Sequence, residues 1–394
     1  MRNATVAGST AIVAAAAAAV SLTLAHGGPS PTAKETTGKT AAAKAGSAKT
    51  GAARLIDSSC GGPAGAAYVM DAGWDGFSAI NTANCQLIQT YNVGDTPVSG
   101  DPGDQNYSST NEGIAVSGNT LYIADTGTDT VSVIDAATLD PSNYNPAETD
   151  IHVGFNPQAL AVTPNGSQLW VADTGPQTAP SSPTDVSVID TATNKVTATI
   201  PVKGAPSQVA FSPSGKSAYV VTADGLYTFS TATRKETGNT RGLGDPRGIA
   251  VSPDGKTVYV TGTADNTLKV ISASDGRVVT SIPVGDLPWQ VVVSANGSTA
   301  YVANPDSDSV SVISTATDTV TKTITLTGDP DTLALTPGGS QLWVGQLASA
   351  YVTLIDTSGN SVVGSINLGG SEPQSGDGYE PTGIALVSTP TPGS

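Results

Sequence analysis

Carboxylates are the side chains this chain offers in numbers for chemistry. Three stretches concentrate them: 95–111 (DTPVSGDPGDQNYSSTN), 173–184 (DTGPQTAPSSPT) and 370–380 (GSEPQSGDGYE). Together they carry Asp95, Asp101, Asp104, Asp173, Glu372, Asp377 and Glu380, and Glu112 directly follows the first stretch. Hard oxygen ligands in Gly- and Ser-rich loops suit Ca²⁺. Asp101, Asp104, Glu112, Asp173, Asp377 and Glu380 therefore form the candidate cation face, and Ca²⁺ is the one cofactor these residues suggest. No stretch has the spacing of a known calcium loop. Four aromatics, Trp74, Tyr107, Trp289 and Tyr379, map to the same side, where exposed rings can stack a sugar or a partner side chain.

Other chemistries lack their parts. The chain has two histidines, His26 and His152. His152 stands alone in DIHVG, an outer-strand context in which a surface role is expected. A Ser-His-Asp triad would have to use it, and no Gly-x-Ser-x-Gly elbow accompanies it. Multi-histidine metal sites are excluded by count. Neither a P-loop nor a dinucleotide glycine motif appears in a strand–turn–helix setting. No catalytic residue is assigned, and the chain reads as a non-enzyme.

Composition narrows the setting. Net charge is −16, and between Arg54 and Lys195 there is no Lys or Arg but sixteen Asp and Glu. Nucleic-acid binding needs clustered basic residues against phosphate and is not expected. The N-terminus, MRNATVAGSTAIVAAAAAAVSLTLA, has an early Arg, an apolar run over 11–25 and small residues at its end. That is a secretory signal peptide, with cleavage after Ala25, and the run is short and Ala-rich for a membrane span. Residues 26–58 lack apolar periodicity and read as a flexible linker. The two cysteines, Cys60 and Cys85, allow one intrachain pairing. Export makes that disulfide the expectation.

The elements that must position these residues are repeats. Prolines at 157, 206, 246, 288, 330 and 381 each precede a short apolar strand, at spacings of mostly 40 to 50 residues. In most copies a tight turn follows, such as Ser252-Pro253-Asp254-Gly255, where Pro presets φ and Gly takes the left-handed position. A second strand carries an aromatic then an aliphatic residue: Tyr122-Ile123, Trp170-Val171, Tyr219-Val220, Tyr259-Val260, Tyr301-Val302, Trp343-Val344. A third alternates as in VSVID (186–190), and an outer strand such as VTATIPV (196–202) closes the unit.

Four strands per unit at this period make a propeller blade. The expected fold is all-β: a seven-bladed β-propeller of four-stranded antiparallel blades, at 59–390, with a short tail at 391–394. The seventh blade is split. Its second to outer strands lie near 67–93, and the C-terminal strand Gly383-Ile384-Ala385-Leu386 supplies its innermost one. The alternative is that Leu55-Ile56-Asp57 supplies it instead. EPTGIAL matches DPRGIAV at Pro, Gly, Ile and Ala, which favours the C-terminal strand.

The segments YVAN (301–304), VSVISTATDTV (310–320), VSVIDTATNKV (186–196) and SPDGKTVYV (252–260) resemble the YVTN β-propeller repeat family, akin to surface-layer propellers. The likeness extends over about residues 66–390. It implies an exported or cell-surface propeller used for binding and assembly, and its motif residues are structural. The expected function is a secreted or cell-wall-associated binding scaffold, monomeric, with a protein or a cell-envelope glycan as partner. Two alternatives stay open: a metal-dependent, lactonase-like hydrolase or lyase with an acidic site at the channel mouth, and a structural surface-layer component.

Overall fold

A computed structural model describes residues 65–71, 76–93, 111–143, 145–175, 184–347, 349–368 and 381–388, with the side chains of Asn111, Glu112 and Ser388 excepted. The expected signal peptide and linker lie outside these residues. The strands form seven four-stranded antiparallel sheets, each running inner, second, third, outer in chain order except at the closure. There the inner strand Pro381–Ser388 pairs with Gly65–Asp71, Tyr68 opposite Ala385 and Val69 opposite Ile384. The C-terminal strand thus holds the inner position of blade one, as expected; Leu55-Ile56-Asp57 lies outside the described residues. Pairing the two ends of the chain removes the free sheet edges that an open ring would expose.

Period-two alternation explains how the ring packs. In the aromatic–aliphatic pair of each second strand, the two side chains face opposite neighbours. Tyr122 joins the apolar cluster shared with the following blade, and Ile123 the cluster shared with the preceding one. Trp170 and Val171 repeat this one blade on, as do Tyr301 and Val302 further round. Seven such clusters result, one at each junction between neighbouring blades. Trp170 and Trp343 are fully buried, as their second-strand positions require.

The inner strands pack on one another all the way round. Their approach is close enough to demand glycine at two places. A Cβ on Gly248 would lie 2.2 Å from the Trp289 carbonyl oxygen, and one on Gly113 would lie 2.5 Å from that of Gln158. The turn glycine Gly255 has φ +70, the left-handed conformation its Pro-Asp-Gly sequence predicts.

Candidate functional site

Each blade carries a polar couple near the end where its inner strand begins. Opposite the aliphatic residue of the second strand, the third strand places Ser78, Ser132, Ser187, Tyr227, Lys269, Ser311 or Thr353. Two residues beyond that aliphatic, on the same face, the second strand ends in Asp71, Asp125, Asp173, Thr222, Gly262, Asn304 or Gln346. Asn304 Nδ2 donates to Ser311 Oγ at 3.0 Å, and the Ser187 amide donates to Asp173 Oδ2 at 3.0 Å. Where the third-strand partner is larger, the acid retreats into the turn. Tyr227 donates its hydroxyl to Asp224 at 2.8 Å, and Lys269 pairs with Asp265. These couples satisfy buried polar groups that the interior would otherwise penalise.

Blade three departs from this pattern. Asp173 and Asp185 are direct cross-strand partners, and Asp173 is 1% exposed. Burial pushes the Asp173 carboxyl up to about 8, and the neighbouring Asp185 adds to the rise against the pull of the Ser187 hydrogen bonds. Asp185 is raised as well, again by burial. Among the described residues Asp173 Oδ1 and Asp185 Oδ1 meet no other partner, and one proton held between them would satisfy both. A Cβ on Gly154 would lie 2.6 Å from Asp185 Oδ1 and 2.7 Å from Asp173 Cγ, so the preceding loop packs directly against the pair. General acid–base chemistry requires contact with a reacting atom. Asp173 itself, at 1% exposed, is closed to solvent, while Asp185 is half-buried.

A second set of residues rings the same end. The position after the proline of each inner strand holds Gln158, Ser207, Arg247, Trp289, Asp331 or Thr382, with Glu112 in blade two. Arg247 is the one Lys or Arg within the seven inner strands. Its guanidinium lies over the Trp289 indole of the next blade, 5.1 Å from the ring centroid. Asp245 Oδ2 stands 3.4 Å from one terminal nitrogen, and Thr263 Oγ1 anchors that carboxylate at 3.0 Å. Asp331 is buried.

The sequence-predicted residues fall out unevenly. Trp289 sits on this rim, half-buried against Arg247. Asp173 lies at the expected end of its blade but under the surface, paired with Asp185. Asp101, Asp104, Asp377, Glu380, Trp74, Tyr107, Tyr379 and Cys60 lie outside the described residues, and of Glu112 only the backbone is described. Among the described residues no group of three or more His, Cys, Asp or Glu is placed to hold a metal ion. His152 is exposed on the outer strand Glu148–His152. Cys85 is buried, and no described cysteine is free. Sequence reasoning missed Asp185 and Arg247, the partners that give Asp173 and Trp289 their settings.

Residues 64–291, more than half the chain, match the family model described as the choice-of-anchor I domain. The chain belongs to that family. The description points to proteins held at a surface, and no described helix is long and apolar enough to cross a membrane. A second model, described as lactonase, 7-bladed beta-propeller, matches residues 230–365 of this choice-of-anchor I protein. No curated protein matches it. Among solved structures it is similar to a functionally unknown protein from Desulfotomaculum acetoxidans DSM 771, at 16% identity and TM-score 0.64 over 82% of this chain and 98% of that one. It also resembles Kuenenia stuttgartiensis hydrazine synthase (24% identity, TM-score 0.55, 67% of this chain and 81% of that one). A third is dihydro-heme d1 dehydrogenase NirN in complex with DHE (17%, TM-score 0.56, 79% and 64%). At these identities the likeness is one of fold.

Proposed function

We propose that this choice-of-anchor I propeller is a non-catalytic binding scaffold of the cell envelope, exported by its N-terminal signal peptide. The observation that carries this reading is the contrast between frame and rim. Blade after blade repeats the same aromatic–aliphatic packing, and the polar groups behind it are paired within the blade. The rim position after each proline instead changes from Gln158 to Ser207, Arg247, Trp289, Asp331 and Thr382. A repeated frame whose rim positions differ from blade to blade, most of them partly open to solvent, suits presentation of a binding surface. The YVTN-like repeats and the family's anchoring description support an envelope location. A partner there would be a protein or an envelope glycan.

A lactonase-like activity is the second reading, favoured by the match over residues 230–365. It would place Ca²⁺ among the acidic stretches 95–111 and 370–380. Fractionation of the producing cells, with the full chain detected in each fraction, tests the first reading; recovery in the cytoplasm would defeat it. Turnover of lactones by the purified chain, dependent on Ca²⁺ and abolished by EDTA, would replace it with the second.

A further inference from the structure

Arginine on the rim is under-used. A guanidinium carries five N–H donors. Among the described residues Arg247 has one carboxylate partner, Asp245, at a long 3.4 Å, and its Nε is buried against no acceptor. Its side chain keeps 16% of its surface open. Stacking over Trp289 fixes the plane of the group, so little freedom remains to be lost when an anion docks.

The companion cation of the neighbouring blade is disposed differently. Arg241 also stacks on an aromatic ring, Tyr227 at 5.1 Å, but it donates to the Tyr227 hydroxyl at 2.7 Å and pairs with Asp224. Lys203 reaches the same carboxylate at 3.5 Å. That group is neutralised; Arg247 is oriented and only weakly engaged.

We propose that the rim at Arg247 and Trp289 receives a small monoanionic organic carboxylate, of which a uronate is the envelope-borne example. This deepens the scaffold reading and rests on it. A planar, two-oxygen anion matches the fork of a guanidinium held in a fixed plane. A dianion is disfavoured, because Asp245 already stands beside the guanidinium and opposes a second negative charge.

Calorimetric titration of the full chain with glucuronate, its neutral amide and inorganic phosphate tests this. Glucuronate is expected to bind, and the amide and phosphate to bind at least tenfold more weakly. Arg247→Gln is expected to weaken glucuronate about tenfold or more, and Arg247→Lys, which keeps the charge but loses the fork, to weaken it as well. Circular dichroism and thermal melts of both variants confirm that the fold is kept. Equal affinities for acid and amide, unchanged binding by Arg247→Gln, or no binding of glucuronate would each overturn the proposal. Co-sedimentation of the wild-type chain with envelope fragments reads the scaffold separately. Sedimentation without glucuronate binding removes only the carboxylate site; glucuronate binding without sedimentation removes the envelope role.

Discussion

Tyr301 of blade six donates its hydroxyl to Asn360 Oδ1 of blade seven at 3.1 Å. Tyr122 makes the same bond to Asn194, one blade on, at 3.2 Å. Both asparagines occupy the turn between third and outer strands, each at φ 51. Asparagine tolerates that left-handed conformation and turns its amide oxygen to the neighbouring blade. Where tryptophan replaces tyrosine the hydroxyl is gone, and the indole N–H bonds within its own strand: Trp170 to Gln168 at 3.0 Å, Trp343 to Gln341 at 3.4 Å. The turn facing Trp343 holds Cys85 instead of asparagine, also left-handed at φ 54.

This latch predicts a modest, separable effect. Tyr301→Phe should cost about 1 kcal/mol, the net value of one hydrogen bond. Asn360→Ala should cost more, because alanine also bears the left-handed backbone, a penalty of about 1 kcal/mol. Urea unfolding of both single variants and the double variant gives the coupling. A double variant whose losses simply add would show that the bond contributes nothing.

The Asp173–Asp185 dyad predicts an inverted pH dependence. Its folded pKa values are raised, that of Asp173 to about 8, above an ordinary value of 3.8. The folded state therefore holds a proton that the unfolded chain releases. The dyad's contribution is fully present below the unfolded pKa and is lost as pH rises toward 8. Asp185→Asn replaces the shared proton with a permanent amide donor. The variant should gain about 1–2 kcal/mol over wild type at pH 8.5 and little at pH 4. Melts of both proteins across that range check it; a constant offset at all pH values would show that the pair is not protonated in the fold.

Much of this was legible along the chain, and the rest fails for one physical reason. Strand alternation and the Pro-Asp-Gly turn are local, so blade number, strand order and closure by 381–388 follow from the sequence. The aromatic–aliphatic pair likewise identifies Trp170 and Trp343 as core. Partnerships across strands and blades depend on register, which is not local. Asp173 looks like a loop acid until Asp185 is placed opposite it. A trace was present: DVSVID begins with Asp where TVSVID and SVSVIS begin with Thr and Ser. Arg247 left no comparable trace, since only the packing of adjacent inner strands sets it over Trp289.

The expected bridge between Cys60 and Cys85 is open to test: the chain has two cysteines, and Cys85 is not free. Closing that loop should contribute about 3 kcal/mol in the chain-entropy picture. Cys60→Ser tests it without disturbing the packing of Cys85 against Trp343. The variant should melt lower than wild type, and reduction should lower only the wild type. Alkylation of two thiols in the native, unreduced chain would refute the bridge.

Two glycines separate close backbone approach from mere flexibility. At Gly248 a Cβ would meet the Trp289 carbonyl at 2.2 Å, and that backbone is itself tied down, because Trp289 O accepts from Thr261 Oγ1 at 2.7 Å. Thr261 also accepts from the Gly248 amide at 2.7 Å, so neither inner strand can back away without breaking this relay. Gly238, on the outer strand Glu236–Thr240, has nothing within 4 Å of where its Cβ would be. Gly248→Ala should cost about 3 kcal/mol, the upper range for forced overpacking, and it should loosen the rim where Arg247 and Trp289 meet. Gly238→Ala should be neutral or slightly stabilising, since it restricts only the unfolded chain. Denaturant unfolding of the two variants gives the comparison, and quenching of Trp289 fluorescence reports the rim. Equal, small effects at both positions would mean that the inner strands have room the geometry denies them.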